Sequence, residues 1–211
     1  MTALKTKDSL LCKLRSYVET PDDDIIKYKN IIKKTLLNCP ELLYSLNDAE
    51  LEKELFDEDG NLLIDADGNL VGEVDRYFGD TSLIRDALYI PNAQTTVNSY
   101  LCYEVGFDEL PRYSAIQKYT EITFTIFVNG ADKTDKLTGI SRHDLISSII
   151  RERFNWSSIF GMQTKLISNK SSISDTNYIV RTLVFQILDT NSIVNTSYNN
   201  GSYIINNEYW E

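Results

Sequence analysis

Apolar and polar positions alternate most regularly between residues 118 and 128, where Ile122, Phe124, Ile126 and Val128 share one side of an extended chain and Thr123, Thr125 and Phe127 the other. The pattern predicts a strand with one strongly buried face. Residues 178 to 188, Tyr-Ile-Val-Arg-Thr-Leu-Val-Phe-Gln-Ile-Leu, are apolar on both sides. They are expected at the centre of a sheet. Between these runs the period changes to that of a helix: Leu145, Ile146, Ile149, Ile150 and Phe154 form an apolar face, with Arg142, Arg151 and Arg153 outside it. Ser141 with Asp144 three places on has the spacing of a capping box. Val97, Leu101, Tyr103 and Val105 predict another strand, and residues 164 to 168 a further one before a Ser/Asn/Lys turn at 169 to 176. The central unit is expected to begin at Tyr113 or soon after.

The first third is helical by the same criteria. Leu10, Leu11, Leu14 and Val18 form one amphipathic stripe, and Ile25, Tyr28, Ile32 and Leu36 a second. The second helix is expected to start at Thr20, with Pro21 at its first position and Asp22, Asp23 and Asp24 at the favourable end of its dipole. Cys39-Pro40 ends it, a third helix follows from Glu41 to Leu46, and a charged turn spans Asn47 to Leu55. A short helix is expected from Ser82 to Tyr89, ahead of the breaker Ile90-Pro91-Asn92. The fold class expected is α+β. It has a mixed or antiparallel sheet of about four strands packed by an amphipathic helix, a helical region at 1–56, an acidic β-hairpin insertion at 57–75, a core at 76–194, and a Tyr/Asn-rich extension at 195–211.

The insertion carries an internal echo, Asp57-Glu58-Asp59-Gly60-Asn61-Leu62 and Asp65-Ala66-Asp67-Gly68-Asn69-Leu70. A pair of calcium loops would need acids at five, three and one residues before each glycine and a Glu six after it. Leu55 and Leu63 stand at the first of those places and Ala66 and Val74 at the last. Two Asp-Gly turns between short strands fit instead. No metal site and no cofactor are expected, and no phosphate-cradling glycine loop of the Walker type occurs.

Charge narrows the function classes. The formal charge is −10, and residues 1–75 hold 17 acids against 9 bases. Wrapping of nucleic acid by phosphate neutralisation is not expected of such a surface, whereas an acidic conduit would let DNA pass without holding it. Three widely spaced cysteines, Cys12, Cys39 and Cys102, with a single histidine, point to reduced thiols. No apolar run approaches the ~18 residues of a membrane span, so a protein of the cytoplasm is expected.

Ser141, His143 and Asp144 are residue types of nucleophilic catalysis, but neighbours on one helical turn cannot assemble a triad. Capping accounts for the serine and the aspartate, and His143 is expected at a surface or interface. An Asp-rich, metal-dependent enzyme using the first third is the rival reading, and a cytoplasmic protein-binding module a third.

The order strand, polar turn, capped helix, strand, turn, long strand resembles the tail terminator (tail completion) proteins of long-tailed bacteriophages. The resemblance lies in Tyr119 to Val128, the turn at 129–138, Gly139 to Ile146, Phe154-Asn155-Trp156 and Tyr178 to Thr190, within about residues 97–194. It implies a structural virion protein, without catalytic residues, in an oligomeric, commonly hexameric, ring that joins the tail to the head connector. The partners implied are copies of itself and other neck, portal or tail-tube proteins, with DNA passing through. Another neck position, adaptor, stopper or collar, is the alternative, because the helices and acidic ribbon at 1–90 are additions to the pattern. The residues expected at interfaces are Asp59, Asp67, Arg142, His143, Arg151, Trp156, Tyr209 and Trp210.

Overall fold

The computed structural model describes residues 6–19, 24–88, 97–107, 117–173 and 178–190. Three helices come first: α1 at Lys7–Glu19, α2 at Asp24–Leu37 and α3 at Pro40–Ser45. Pro40 occupies the first turn of α3, where its missing N–H costs nothing. The proposed cap at Thr20 to Asp23 lies outside the described residues. Strands β1 (Ile84–Arg85), β2 (Tyr100–Phe107) and β3 (Gln117–Asn129) follow, then helix α4 (Arg142–Phe154) and strands β4 (Lys165–Ile173) and β5 (Tyr178–Thr190).

The strands form one mixed sheet in the order β1-β2-β3-β5-β4. Only β1 runs parallel to its neighbour; the remaining pairs are antiparallel. The α+β class holds, and β5 lies between β3 and β4 as its two apolar faces require. Two expectations are corrected. Ser82 to Leu88, the described part of the helix expected as far as Tyr89, is not helical: Ile84 and Arg85 pair with Leu101 and Cys102 and add a fifth strand. The turn expected from residue 169 is strand as far as Ile173, because the β5 ladder continues along it (Asn169 opposite Leu183, Ser171 opposite Arg181). β4 is an edge strand among those described, so polar side chains cost it little.

Ile122, Phe124, Ile126 and Val128 face the helices and are fully buried. An aromatic series runs through that layer: Tyr28 of α2 lies 5.1 Å from Phe160, Phe160 stacks on Phe154 of α4 at 6.2 Å, and Phe154 lies 4.8 Å from Phe124. The apolar residues of α2 and α3 and those of the sheet therefore share one core. The Tyr28 hydroxyl donates to Asp189 at the far end of β5, fixing α2 across the sheet. No helix among the described residues is long and apolar enough to cross a membrane.

Candidate functional site

The polar residues that drew attention in the sequence collect at the N-terminal end of α4, and most are consumed in holding the chain together. Arg142 is expected outside the apolar face of the helix, solvated or at an interface; it is instead 2% exposed within the chain. Its Nε lies 3.0 Å from Asp132 Oδ2 and its Nη1 3.7 Å from Asp135 Oδ1, while Nη1 donates to the Ser45 carbonyl at 2.8 Å. The turn just upstream of α4 and the distant end of α3 thus meet at one guanidinium. The reason is its place on the helix: Arg142 precedes Ile146, Ile150 and Phe154 at successive steps of four, on the buried stripe. Asp135 Oδ2 also accepts from the Thr138 hydroxyl and N–H, each at 2.8 Å, and these bonds hold its carboxyl below the usual aspartate range.

Ser141 stands at the N-cap, yet its side chain makes no capping bond; only its carbonyl accepts, from the Asp144 and Leu145 N–H groups. The capping-box expectation is corrected accordingly. Asp144 turns to Arg181 of β5 instead, since a full opposite charge outcompetes a single backbone N–H. Arg181 Nη1 donates to Asn169 Oδ1 at 2.9 Å, and Asn169 Nδ2 to Ser147 Oγ at 3.2 Å.

His143 is buried beside Asp144, where a surface or interface position was expected. Its Nε2 lies 3.6 Å from Asp144 Oδ1, and its Nδ1 has no hydrogen-bond partner. Burial pushes its pKa below the ordinary histidine value; Asp144 opposes that shift and Arg181 adds to it. As pH falls below about 6.5 the unfolded chain therefore takes up a proton before the folded one. Stability is expected to decline from there down to the folded-state pKa and to level off below it. His143→Gln should abolish that slope in melting temperature between about pH 7 and 5, where no other side chain of the usual pKa scale titrates. A slope unchanged in the variant would assign it elsewhere.

The two Asp-Gly turns form with matching geometry, but the short strands and β-hairpin expected at 57–75 are corrected to isolated bridges, because each turn closes on itself. Asp57 Oδ1 accepts from the N–H groups of Asp59 (3.0 Å) and Asn61 (2.8 Å), and Asp65 Oδ1 from Asp67 (2.9 Å) and Asn69 (2.8 Å). These bonds hold both carboxyls below the usual range. Leu63 N–H donates to Leu55 O and Val71 N–H to Leu63 O, so the echo is an eight-residue structural repeat closed by small bridges at Phe56–Leu62 and Ile64–Leu70. Asp59 and Asp67 lie exposed on the turns. Residues 48–75 contain 11 acids and 1 base, a charge as large as that of the whole chain. Beside the first turn lies an open cleft of about 820 Å³, with Tyr44 and Phe56 packed edge to face at 5.8 Å. Among the described residues no group of three or more His, Cys, Asp or Glu is placed to hold a metal.

At the opposite end of α4, Arg151 is exposed and Arg153 pairs with Glu41 at 3.1 Å. Trp156 is 59% exposed with φ +62, a conformation rare for a bulky side chain. Its N–H donates to Thr164 O at 2.7 Å and Thr164 N–H returns a bond to Ser157 O at 2.9 Å, closing the loop beneath it. Tyr209 and Trp210 lie outside the described residues.

A family described as YomW matches residues 39–187, most of the chain from α3 through β5, and the protein belongs to that family. The family is named in the manner of a prophage gene product, which points to an association with phage. No curated protein matches the chain.

Proposed function

We propose that the protein is a structural component of a tailed-phage virion at the head-tail junction, acting by assembly into an oligomeric ring through which DNA passes. The observation that carries this reading is the division of polar residues between two uses. At the start of α4, Arg142 is tied to Ser45, Asp132 and Asp135 and Asp144 to Arg181 within the chain, whereas acids of residues 48–75 stand on exposed turns. Buried ties make a rigid subunit, and an exposed single-sign surface either meets a complementary neighbour or lines a passage that repels DNA. Membership of a phage-associated family supports the same reading. An adaptor, stopper or collar would use the same features at a neighbouring level of the neck.

Light scattering on the purified chain, followed by electron microscopy, is the test. Closed rings of defined subunit number are expected, on their own or on addition of tail tubes. A chain that stays monomeric at every concentration and joins neither tubes nor connectors would sink the proposal.

A further inference from the structure

The two exposed surfaces flanking α4 are complementary, and they lie at its opposite ends. Arg142 at the start of α4 reaches Ser45 at the end of α3, and Arg153 near the end of α4 reaches Glu41 at the start of α3, so the helices run antiparallel. The acidic segment that follows α3 therefore emerges at the N-terminal end of α4, and the Trp156 loop at its C-terminal end. Thirteen helical residues separate them, a rise of about 20 Å. Within one chain they cannot meet.

Their chemistry matches. At the acidic end the cleft combines Tyr44 and Phe56 with the carboxylates of Glu52, Asp57 and Glu58 against the single ammonium of Lys53. At the other end Trp156, Ile159 and Met162 are exposed apolar side chains. Arg151 is also exposed, one turn of helix before Asn155, whose N–H bonds to Arg151 O. Lys165 is exposed too, next to Leu166, whose N–H donates to Asn155 Oδ1 at 2.9 Å. A left-handed tryptophan held by backbone bonds on both sides of its loop is a strained, preorganised knob, and such strain is kept where the side chain is used.

The geometry points to a second copy of this chain as the occupant: the Trp156 loop of one copy seats in the Tyr44–Phe56 cleft of the next, with Arg151 and Lys165 set against Glu52, Asp57 and Glu58. The contact is heterologous, because the two surfaces differ, and repetition of it gives a ring where the rotation between copies closes. It rests on the ring proposed above and names the surfaces that would join it.

Sedimentation velocity on the full chain, with melting temperature measured alongside, separates the possibilities. Trp156→Gly removes the knob while relieving the left-handed backbone, so its melting temperature should equal or exceed that of the wild type. Its self-association should weaken by on the order of thirtyfold. Arg151→Glu with Lys165→Glu, all exposed positions, should weaken association about tenfold or more, and adding Glu52→Lys with Glu58→Lys in the same chain should restore it. Variants that assemble as the wild type does would overturn this contact and leave the ring intact. A wild type that never self-associates, alone or with tail tubes and connectors added, would overturn both.

Discussion

Replacing Arg142 by alanine is expected to destabilise the fold by about 3–5 kcal/mol, the range for removing one partner of a buried ion pair. The loss comes less from the attraction given up than from what remains. Asp132 and Asp135 would be left largely buried without a cation, and the Ser45 carbonyl without its donor. Because those groups belong to the turn after β3 and to the end of α3, the damage should spread to both segments. Chemical denaturation should show it as a lower midpoint. Arg142→Lys should recover little, since an ammonium cannot reach three acceptors from one planar fork. Arg142→Met, which keeps volume and drops the charge, should fall near alanine unless Asp132 and Asp135 are also made neutral. If Arg142→Ala melted with the wild type, the guanidinium would have no structural role, and its earlier assignment to an interface would regain ground.

That residue also shows how far the sequence could be read. The long strands, the three longer helices and the central place of β5 follow from periodicity over ten or more residues, where each position repeats the same statement about which side is buried. Arg142 follows the same rule: it lies four, eight and twelve residues before Ile146, Ile150 and Phe154, and Asp132 and Asp135 stand just upstream as partners. Its charge led to the opposite expectation, because a lone arginine is ordinarily solvated. Composition misled at β4 for a related reason. Ser168 to Ser172 has the residues of a turn, yet an edge strand asks only that its backbone pair with β5. β1 carries two residues of pairing to a segment 17 positions away, too short a run for any period to register. The left-handed Trp156 had no signal at all, since nothing in its neighbours calls for a positive φ.

Gly72 was equally silent in the sequence, for a different reason, a close backbone approach, and its expected effect is next in size. An added Cβ would stand 1.9 Å from the carbonyl oxygen of Glu54 and 2.9 Å from its carbonyl carbon, a collision between two backbones with no flexible end to yield. Gly72→Ala is expected to cost about 3 kcal/mol, the upper part of the range for overpacking. The collision lies where the acidic module returns to its base. Glu54 Oε2 accepts from Glu73 N–H at 3.3 Å and Glu54 pairs with Arg76, so moving residue 72 away from residue 54 strains both ties. Gly60 supplies the contrast within the same module. It has φ +83 and open space around its α-carbon, so alanine there should cost only about 1–2 kcal/mol, for the left-handed backbone. Asparagine tolerates that conformation, so Gly60→Asn should stand close to the wild type, whereas Gly72→Asn should fail as alanine does. Limited proteolysis within residues 56–71 reads the difference directly, with faster cleavage expected in Gly72→Ala than in Gly60→Ala. Equal cleavage rates would mean that conformation, not the approach to Glu54, governs both glycines. Because the proposed contact uses the cleft at the base of this module, Gly72→Ala should also lower self-association without touching a single exposed charge.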